Sequence, residues 1–169
     1  IFAAHKHKPV IYRIANVAFP EFVAYDSHGN LFADGVDTHG AFAMAELPNG
    51  GTSFSALTIT GGTLYVPGQV LWGGTHLLVG DQNYHNAGKG SAIYQITVNG
   101  SSATVRSSVV LPNTSSVVGF WKRGKKKSSK VTTADFGGSA APLFKFPSGA
   151  PFATITSGIS KPFGVAISP

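Results

Sequence analysis

The stretch Ile93-Tyr94-Gln95-Ile96-Thr97-Val98-Asn99-Gly100 decides the fold, because an alternating apolar strand runs directly into an Asn-Gly turn. Asn-Gly after such a strand is the strongest short signal for a β-hairpin. The same pattern, an apolar or aromatic strand followed by a Gly, Pro or Asn turn, recurs at residues 11–14, 42–47 and 143–147. The sequence therefore predicts a β-protein built from a repeated unit.

The spacing of these stretches predicts how the units are arranged. The last three begin about 50 residues apart, and each follows a strand that ends in small residues and an aspartate: Asp34, Asp81 and Asp135. Repeats of this length in an all-β chain are typical of propeller blades or a related array. We therefore expect an all-β, propeller-like array of four-stranded antiparallel meanders with almost no helix.

The number of units is too small for a closed ring. We expect one repeat domain over residues 1–169, with complete units at 20–66, 67–115 and 116–160 and partial units at 1–19 and 161–169. A closed propeller needs about 4–8 blades, and strand-like residues 1–4 and 164–167 stand at the two ends. Unpaired strand edges favour docking on another strand. We therefore expect self-association or the remainder of a longer chain, rather than a free-standing open sheet. Closure of the chain in an irregular sandwich is the other alternative.

Composition favours a secreted β-protein. Charged residues make up 12% of the chain, there are 21 Gly and 10 Pro, and 43% of the residues are hydrophobic. Cysteine is absent, which excludes disulfides, thiolate metal sites and cysteine nucleophiles. No apolar run reaches the roughly 18–20 residues of a membrane helix. We expect an extracellular or secreted location with the signal segment missing, since the chain starts at Ile1 instead of Met.

Acidic and imidazole side chains cluster after two of the predicted second strands. Each of these loops pairs an aspartate with a histidine, so converging loops would supply ligands for a divalent metal such as Ca²⁺, or a general base. The alternative is that each aspartate accepts hydrogen bonds from backbone amides and shapes its own turn. The candidate metal ligands are Asp34, Asp37, His39, Asp81, His85 and Asp135.

The net charge of +6 comes largely from one segment. Six of the 13 basic residues fall in a nine-residue span, at a predicted hairpin tip. Such a tip could bind a polyanion, or it could be a solvated turn that limits association. Specific nucleic-acid binding is not expected, because Trp121 alone offers an aromatic ring for base stacking. The candidate polyanion-binding residues are Lys122, Arg123, Lys125, Lys126, Lys127 and Lys130.

Three segments resemble those of a known family. Residues 25–34, Tyr-Asp-Ser-His-Gly-Asn-Leu-Phe-Ala-Asp, are similar to the strand-turn-strand element of NHL-type and senescence-marker or gluconolactonase-type propellers. Residues 161–167 look like the inner strand of these proteins, and residues 146–149 like their third-strand turn. The resemblance implies a propeller with a divalent ion on its channel axis and a lactonase-like activity.

Two functions follow from these observations. We favour a non-catalytic extracellular scaffold or binding module, without a cofactor, that associates with itself through β-edges. The alternative is a metal-dependent lactonase-like hydrolase or lyase, which the resemblance implies. Whether the chain is an enzyme depends on whether the candidate metal ligands meet at one point. Glu21 is the only glutamate near a predicted inner strand, and this scarcity favours the scaffold.

Overall fold

The computed structural model describes residues 11–84, 90–124 and 129–166, and these residues form an all-β fold without an α-helix. Twelve strands form three consecutive four-stranded meanders. The first meander contains β1 (Phe19–Tyr25), β2 (Leu31–Val36), β3 (Phe42–Leu47) and β4 (Ser55–Thr60). The second contains β5 (Pro67–Trp72), β6 (Leu77–Asp81), β7 (Ser91–Asn99) and β8 (Ser102–Leu111). The third contains β9 (Val117–Arg123), β10 (Ser129–Asp135), β11 (Ala141–Phe146) and β12 (Pro151–Ile155).

The prediction of an all-β chain with repeated meanders is confirmed for these twelve strands. Turn chemistry places them as expected: Gly100, with a φ of 57°, closes the β7–β8 hairpin after Asn99. The strands predicted at residues 11–14 and 161–167 are wrong, because residues 11–14 and the described part of the second segment, 161–166, are irregular. The strand predicted at residues 1–4 lies outside the described residues. Within the described part of the chain, no helix is long and apolar enough to cross a membrane.

The prediction of separate propeller-like blades is not confirmed, because the first two meanders share one sheet. Their last strands, β4 and β8, pair in parallel from Thr58–Ser102 to Thr60–Thr104. The resulting eight-stranded sheet has the order β1-β2-β3-β4-β8-β7-β6-β5. Its two edges, β1 and β5, pack against one another, so the sheet is a nearly closed, barrel-like structure. A propeller instead keeps each blade as its own sheet.

The interior of the barrel-like sheet is the larger of two apolar cores. It contains side chains from both meanders, among them Phe32 and Met44 from the first and Val79, Tyr94 and Ile96 from the second. Phe22 and Ala24 of β1 pack against the same core. Burial of these apolar side chains holds the first two meanders together.

A second core joins the eight-stranded sheet to the four-stranded sheet of the third meander. Leu78, Ile93 and Leu111 from the second meander meet Phe120 and Phe144 from the third. Since side chains alternate between the two faces of a strand, the second meander contributes Leu77 and Val79 to one core and Leu78 to the other. The second meander is therefore covered on both faces.

Hydrogen bonds of polar side chains also join the second meander to the third. Phe120 donates its backbone N–H to Gln69 Oε1 at 2.7 Å, which links β5 to β9. Ser116 donates its hydroxyl to Gln82 Oε1 at 2.7 Å, and the N–H of Val117 donates to Ser91 Oγ at 2.9 Å. These hydrogen bonds fix the position of the third meander on the second, because a buried donor left without an acceptor is costly.

Replacing Gln69 by leucine is expected to destabilise the protein. The N–H of Phe120 would lose its acceptor at the boundary between the sheets, and we expect a loss of about 1–3 kcal/mol in the free energy of unfolding. Urea unfolding measures this change. Gln95→Leu is the matched control, since Gln95 bonds Ser107 at the surface and its loss should cost under about 0.5 kcal/mol. Equal effects of the two substitutions would contradict the role of Gln69.

Candidate functional site

Two of the candidate metal ligands, Asp81 and Asp135, shape loops. Asp81 accepts backbone N–H groups from Tyr65 at 3.0 Å, Val66 at 3.1 Å and Asn83 at 2.9 Å. Tyr65 and Val66 precede β5, so the carboxylate ties the loop that enters the second meander to the end of β6. The side chain is fully buried, and these amides supply the hydrogen bonds that its oxygens need.

Asp135 does the same in the third meander. Its carboxylate accepts the N–H of Ser116 at 2.8 Å and those of Ser115 and Gly138 at 3.1 Å. Ser115 and Ser116 precede β9, as Tyr65 and Val66 precede β5. The repeated aspartate thus fastens the entry loop of each of these two meanders, which agrees with the turn-shaping alternative.

Asp34 looks equivalent in the sequence but has a different environment. Asp81 is opposite the first residue of β5, and Asp135 is opposite the first residue of β9. In the first meander, the residue opposite the first residue of β1 is Val36 and not Asp34. Asp34 lies two positions further into the sheet, opposite Phe22 and Met44. Its carboxyl therefore shares the interior face of the barrel-like sheet with apolar side chains.

The Asp34 carboxyl is buried without a hydrogen bond. Its exposed fraction is 0%, and neither oxygen has a partner. Burial raises the pKa of Asp34 well above its ordinary value, and the negative charge of Glu21 raises it further. The nearby backbone N–H groups of Phe22 and Asp34 lower the pKa by a smaller amount, since their dipoles favour the ionised carboxyl. Neither of them is placed to form a hydrogen bond with it. The surroundings of Asp34 thus shift its equilibrium toward the neutral acid.

The remaining candidate metal ligands lie at the surface or outside the described residues. Asp37 accepts the backbone N–H groups of His39 at 2.8 Å and Ala41 at 2.9 Å, and these bonds lower its pKa. The His39 ring is exposed, and its Nδ1 lies 3.8 Å from Asp37 Oδ2. His85 lies outside the described residues. Among residues 11–84, 90–124 and 129–166, no three acidic or histidine side chains are grouped to hold a metal ion.

The candidate polyanion-binding residues divide between two faces of the third meander. Lys122 points toward the second meander, where it lines a 510 Å³ groove with His76 and Phe146. Arg123 and Lys130 are paired across β9 and β10 and line a different groove on the other face. Lys125, Lys126 and Lys127 lie outside the described residues.

Sequence reasoning missed Lys145, which belongs with the second group. The β10–β11 register places Lys145 opposite Lys130, and Lys130 is opposite Arg123. Three cations therefore form a row across β9, β10 and β11. The signal available in the sequence was that Lys145 alternates with Phe144 and Phe146 and so faces away from the core. Lys145 is 15 residues from Lys130, however, and lies outside the basic run.

The face that carries this row is the open face of the third meander. We use this name for the surface formed by Arg123, Lys130, Lys145, Trp121, Leu143, Phe152 and Ile155. Here a groove of 860 Å³ runs between the strands and the terminal segment 159–166. Trp121, Phe152 and Ile155 are exposed at 38%, 41% and 51%. The open face thus combines apolar and cationic groups.

A second exposed apolar surface lies on the first meander. Phe19, Val23 and Tyr25, all on β1, are more than half exposed. Val23 and Tyr25 alternate with Phe22 and Ala24, whose side chains pack on the interior core. We call the surface of Phe19, Val23 and Tyr25 the β1 edge. The β1 edge and the open face stand at opposite ends of the succession of meanders.

Comparison with known proteins gives the fold alone. No family model and no curated protein matches the chain. The crystal structure of a functionally unknown protein from Desulfotomaculum acetoxidans is similar, with a TM-score of 0.59 and 15% identity over 90% of this chain. This chain covers 47% of the length of that protein.

The family resemblance proposed from the sequence is wrong. The motifs at residues 25–34, 146–149 and 161–167 do not carry membership of the NHL-type or gluconolactonase-type propellers, since no family model matches. The eight-stranded sheet also departs from their separate blades. The motifs recur because short turns use the same Asp, Gly and Asn residues in unrelated β-proteins.

The Asp34→Asn variant tests the raised pKa of Asp34. A raised native pKa means that the wild-type group stabilises the fold below the ordinary pKa of aspartate, and that this stability is lost as pH rises through the native pKa. We expect the free energy of unfolding of Asp34→Asn to lack this decline and to exceed that of the wild type by about 1–3 kcal/mol at mildly alkaline pH. Urea unfolding across a pH series measures both.

Asp37→Asn is the control of opposite sign. Its pKa is lowered, so the wild-type carboxylate stabilises the fold above the ordinary pKa and this stability is lost as pH falls. The control should therefore be slightly less stable than the wild type at neutral pH and equal to it in acid. An Asp34→Asn variant less stable than the wild type at alkaline pH would show that ionised Asp34 has a favourable partner, such as a cation.

The Asp135→Asn variant tests the loop-fastening role. An amide keeps the shape and one oxygen for Ser116 and Gly138, but it places an NH₂ group where Oδ2 now shares the N–H of Ser115, so we expect a loss of about 1–2 kcal/mol. Hydrogen exchange should show faster opening at Ser115 and Ser116 than in the wild type. Unchanged exchange at these two amides would contradict the role.

Proposed function

We propose that the chain is a non-catalytic scaffold or binding module whose two end surfaces associate with further copies of the chain. One observation carries the proposal. Nine large hydrophobic side chains are exposed among the described residues, and eight of them lie at the two ends of the succession of meanders. The first-end group is Ile11, Phe19, Val23 and Tyr25, and the last-end group is Trp121, Phe152, Ile155 and Phe163.

The covered second meander supports this interpretation. Its two faces carry apolar residues, and each is buried against a neighbouring meander. The first and third meanders each have one such neighbour in the described chain. Exposed apolar surfaces at both ends are typical of interaction sites. The proposal is that a further meander covers each end as its neighbours cover the second meander.

The terminal segment supports a continuing array. A side chain at Gly119 of β9 would meet the carbonyl oxygen of Phe163 at 3.0 Å and Gln69 Oε1 of β5 at 3.2 Å. The segment that follows the third meander therefore lies beside β9, the first strand of that meander. In the same way, β9, which follows the second meander, lies beside β5, the first strand of the second meander. We propose on this basis that the meanders continue as the units of an incomplete, propeller-like array.

The test is self-association in solution. We expect sedimentation velocity to show concentration-dependent assembly of the wild type. The Phe152→Ser/Ile155→Ser variant should weaken the assembly at least about tenfold, since two anchors at the centre of a small interface contribute more than about 1.4 kcal/mol.

Val110→Ser is the matched control. Val110 is the one exposed large hydrophobic of the described residues that lies on the second meander, away from both ends, so its replacement should leave association unchanged. A wild type that stays monomeric at all concentrations would overturn the proposed function.

A further inference from the structure

The first and third meanders differ in the sign of their charge. Residues 19–60, which span the first meander, contain no Lys or Arg and five carboxyl side chains: Glu21, Asp26, Asp34, Asp37 and Glu46. Residues 117–155, which span the third meander, contain one carboxyl, the buried Asp135, and seven basic residues: Lys122, Arg123, Lys125, Lys126, Lys127, Lys130 and Lys145. The first meander is therefore acidic and the third strongly basic.

The basic residues of the open face have no acidic partner among the described residues. The ion pairs of the described residues are His28–Asp26 and His39–Asp37, and both lie within the first meander. Arg123, Lys130 and Lys145 stand directly opposite one another in the strand register, where like charges repel. The Lys130 ammonium lies 5.0 Å from the Phe152 ring centre, so the cationic row borders the exposed aromatic surface. An acidic surface with apolar groups would complement the open face.

The β1 edge has this composition. Glu21 is exposed on β1, between Phe19 and Val23, at an irregularity of the β1–β2 register. Asp37 follows β2 at the adjacent end of the sheet and is about one third exposed. The first meander has no Lys or Arg to oppose these carboxylates, and the exposed His39 ring is the basic group beside Asp37. The β1 edge therefore offers apolar side chains with negative charge beside them.

We propose that copies of the chain associate head to tail, with the acidic β1 edge of one copy packed on the basic open face of the next. This inference rests on the proposed function and specifies its partner surfaces. Pairing two open faces would bring two cationic rows together, which costs several kcal/mol. A contact between two different surfaces is heterologous, so it closes into a ring or continues as a filament.

A mixing experiment tests the polarity of the contact. One variant, Val23→Ser/Tyr25→Ser, blocks the β1 edge, and the other, Phe152→Ser/Ile155→Ser, blocks the open face. We expect each variant alone to be monomeric by sedimentation velocity. Their equimolar mixture should form a 1:1 dimer that does not grow, because one intact β1 edge meets one intact open face.

Charge variants test the electrostatic part. Lys130→Glu and Glu21→Lys should each weaken wild-type association about tenfold or more, and raising the salt concentration should weaken it as well. Arg106→Glu is the control, since it changes the net charge as Lys130→Glu does but replaces an exposed residue of β8, in the second meander. An effect of Arg106→Glu equal to that of Lys130→Glu would overturn the assignment to these surfaces.

The outcomes separate this inference from the proposed function. If only the open-face variant loses association and the β1-edge variant assembles like the wild type, the contact is isologous and head-to-tail pairing is wrong, while self-association stands. A wild type that stays monomeric would overturn both the head-to-tail contact and the proposed self-association. If a monomeric wild type also binds a heparin column and Lys130→Glu releases it, the cationic row serves a polyanion and the inference is overturned.

Discussion

Each meander carries apolar side chains on both faces, and the need to cover both faces governs the structure. Leu77 and Val79 point into the core shared with the first meander, while Leu78 between them points into the core shared with the third. A strand with this pattern is stable only between two layers. The succession of meanders satisfies the requirement in the middle. At the ends it is satisfied in part, because Leu31 and Leu47 of the first meander and Ala134 of the third are buried while the β1 edge and the apolar residues of the open face stay exposed. The β1 edge and the open face are therefore consequences of the same pattern that builds the cores.

The aspartates show how one sequence feature takes two roles. Asp81 and Asp135 stand where a strand ends, so the amides of an incoming loop surround each carboxylate. Asp34 stands two positions deeper in its strand, and an irregularity at Pro20 and Phe22 shifts the register of β1 beside it. The loop amides are then out of reach, and burial favours the neutral acid. A displacement of two residues changes a loop anchor into a buried group without a partner.

The local parts of the fold could be predicted from the sequence, whereas the long-range parts could not. Alternation and turn residues such as Asn99 and Gly100 identify the strands, because the hairpin geometry depends on neighbours in the chain. The parallel pairing of β4 with β8 joins Thr60 to Thr104, with their hydroxyls 2.9 Å apart, and no local pattern marks it. The depth of Asp34 and the alignment of Lys145 with Lys130 likewise depend on register, which a repeat count does not reveal.

Apolar exposure and charge act together at the two ends. Apolar surface alone would allow either end to pack on any exposed hydrophobic group, since the hydrophobic effect is not directional. The row of Arg123, Lys130 and Lys145 opposes contact between two open faces, and the carboxylates beside the β1 edge oppose contact between two such edges. In the proposed association, the attraction that remains would join unlike ends. Hydrophobic burial would supply the affinity of such a contact, and the charge separation between the first and third meanders would decide its direction.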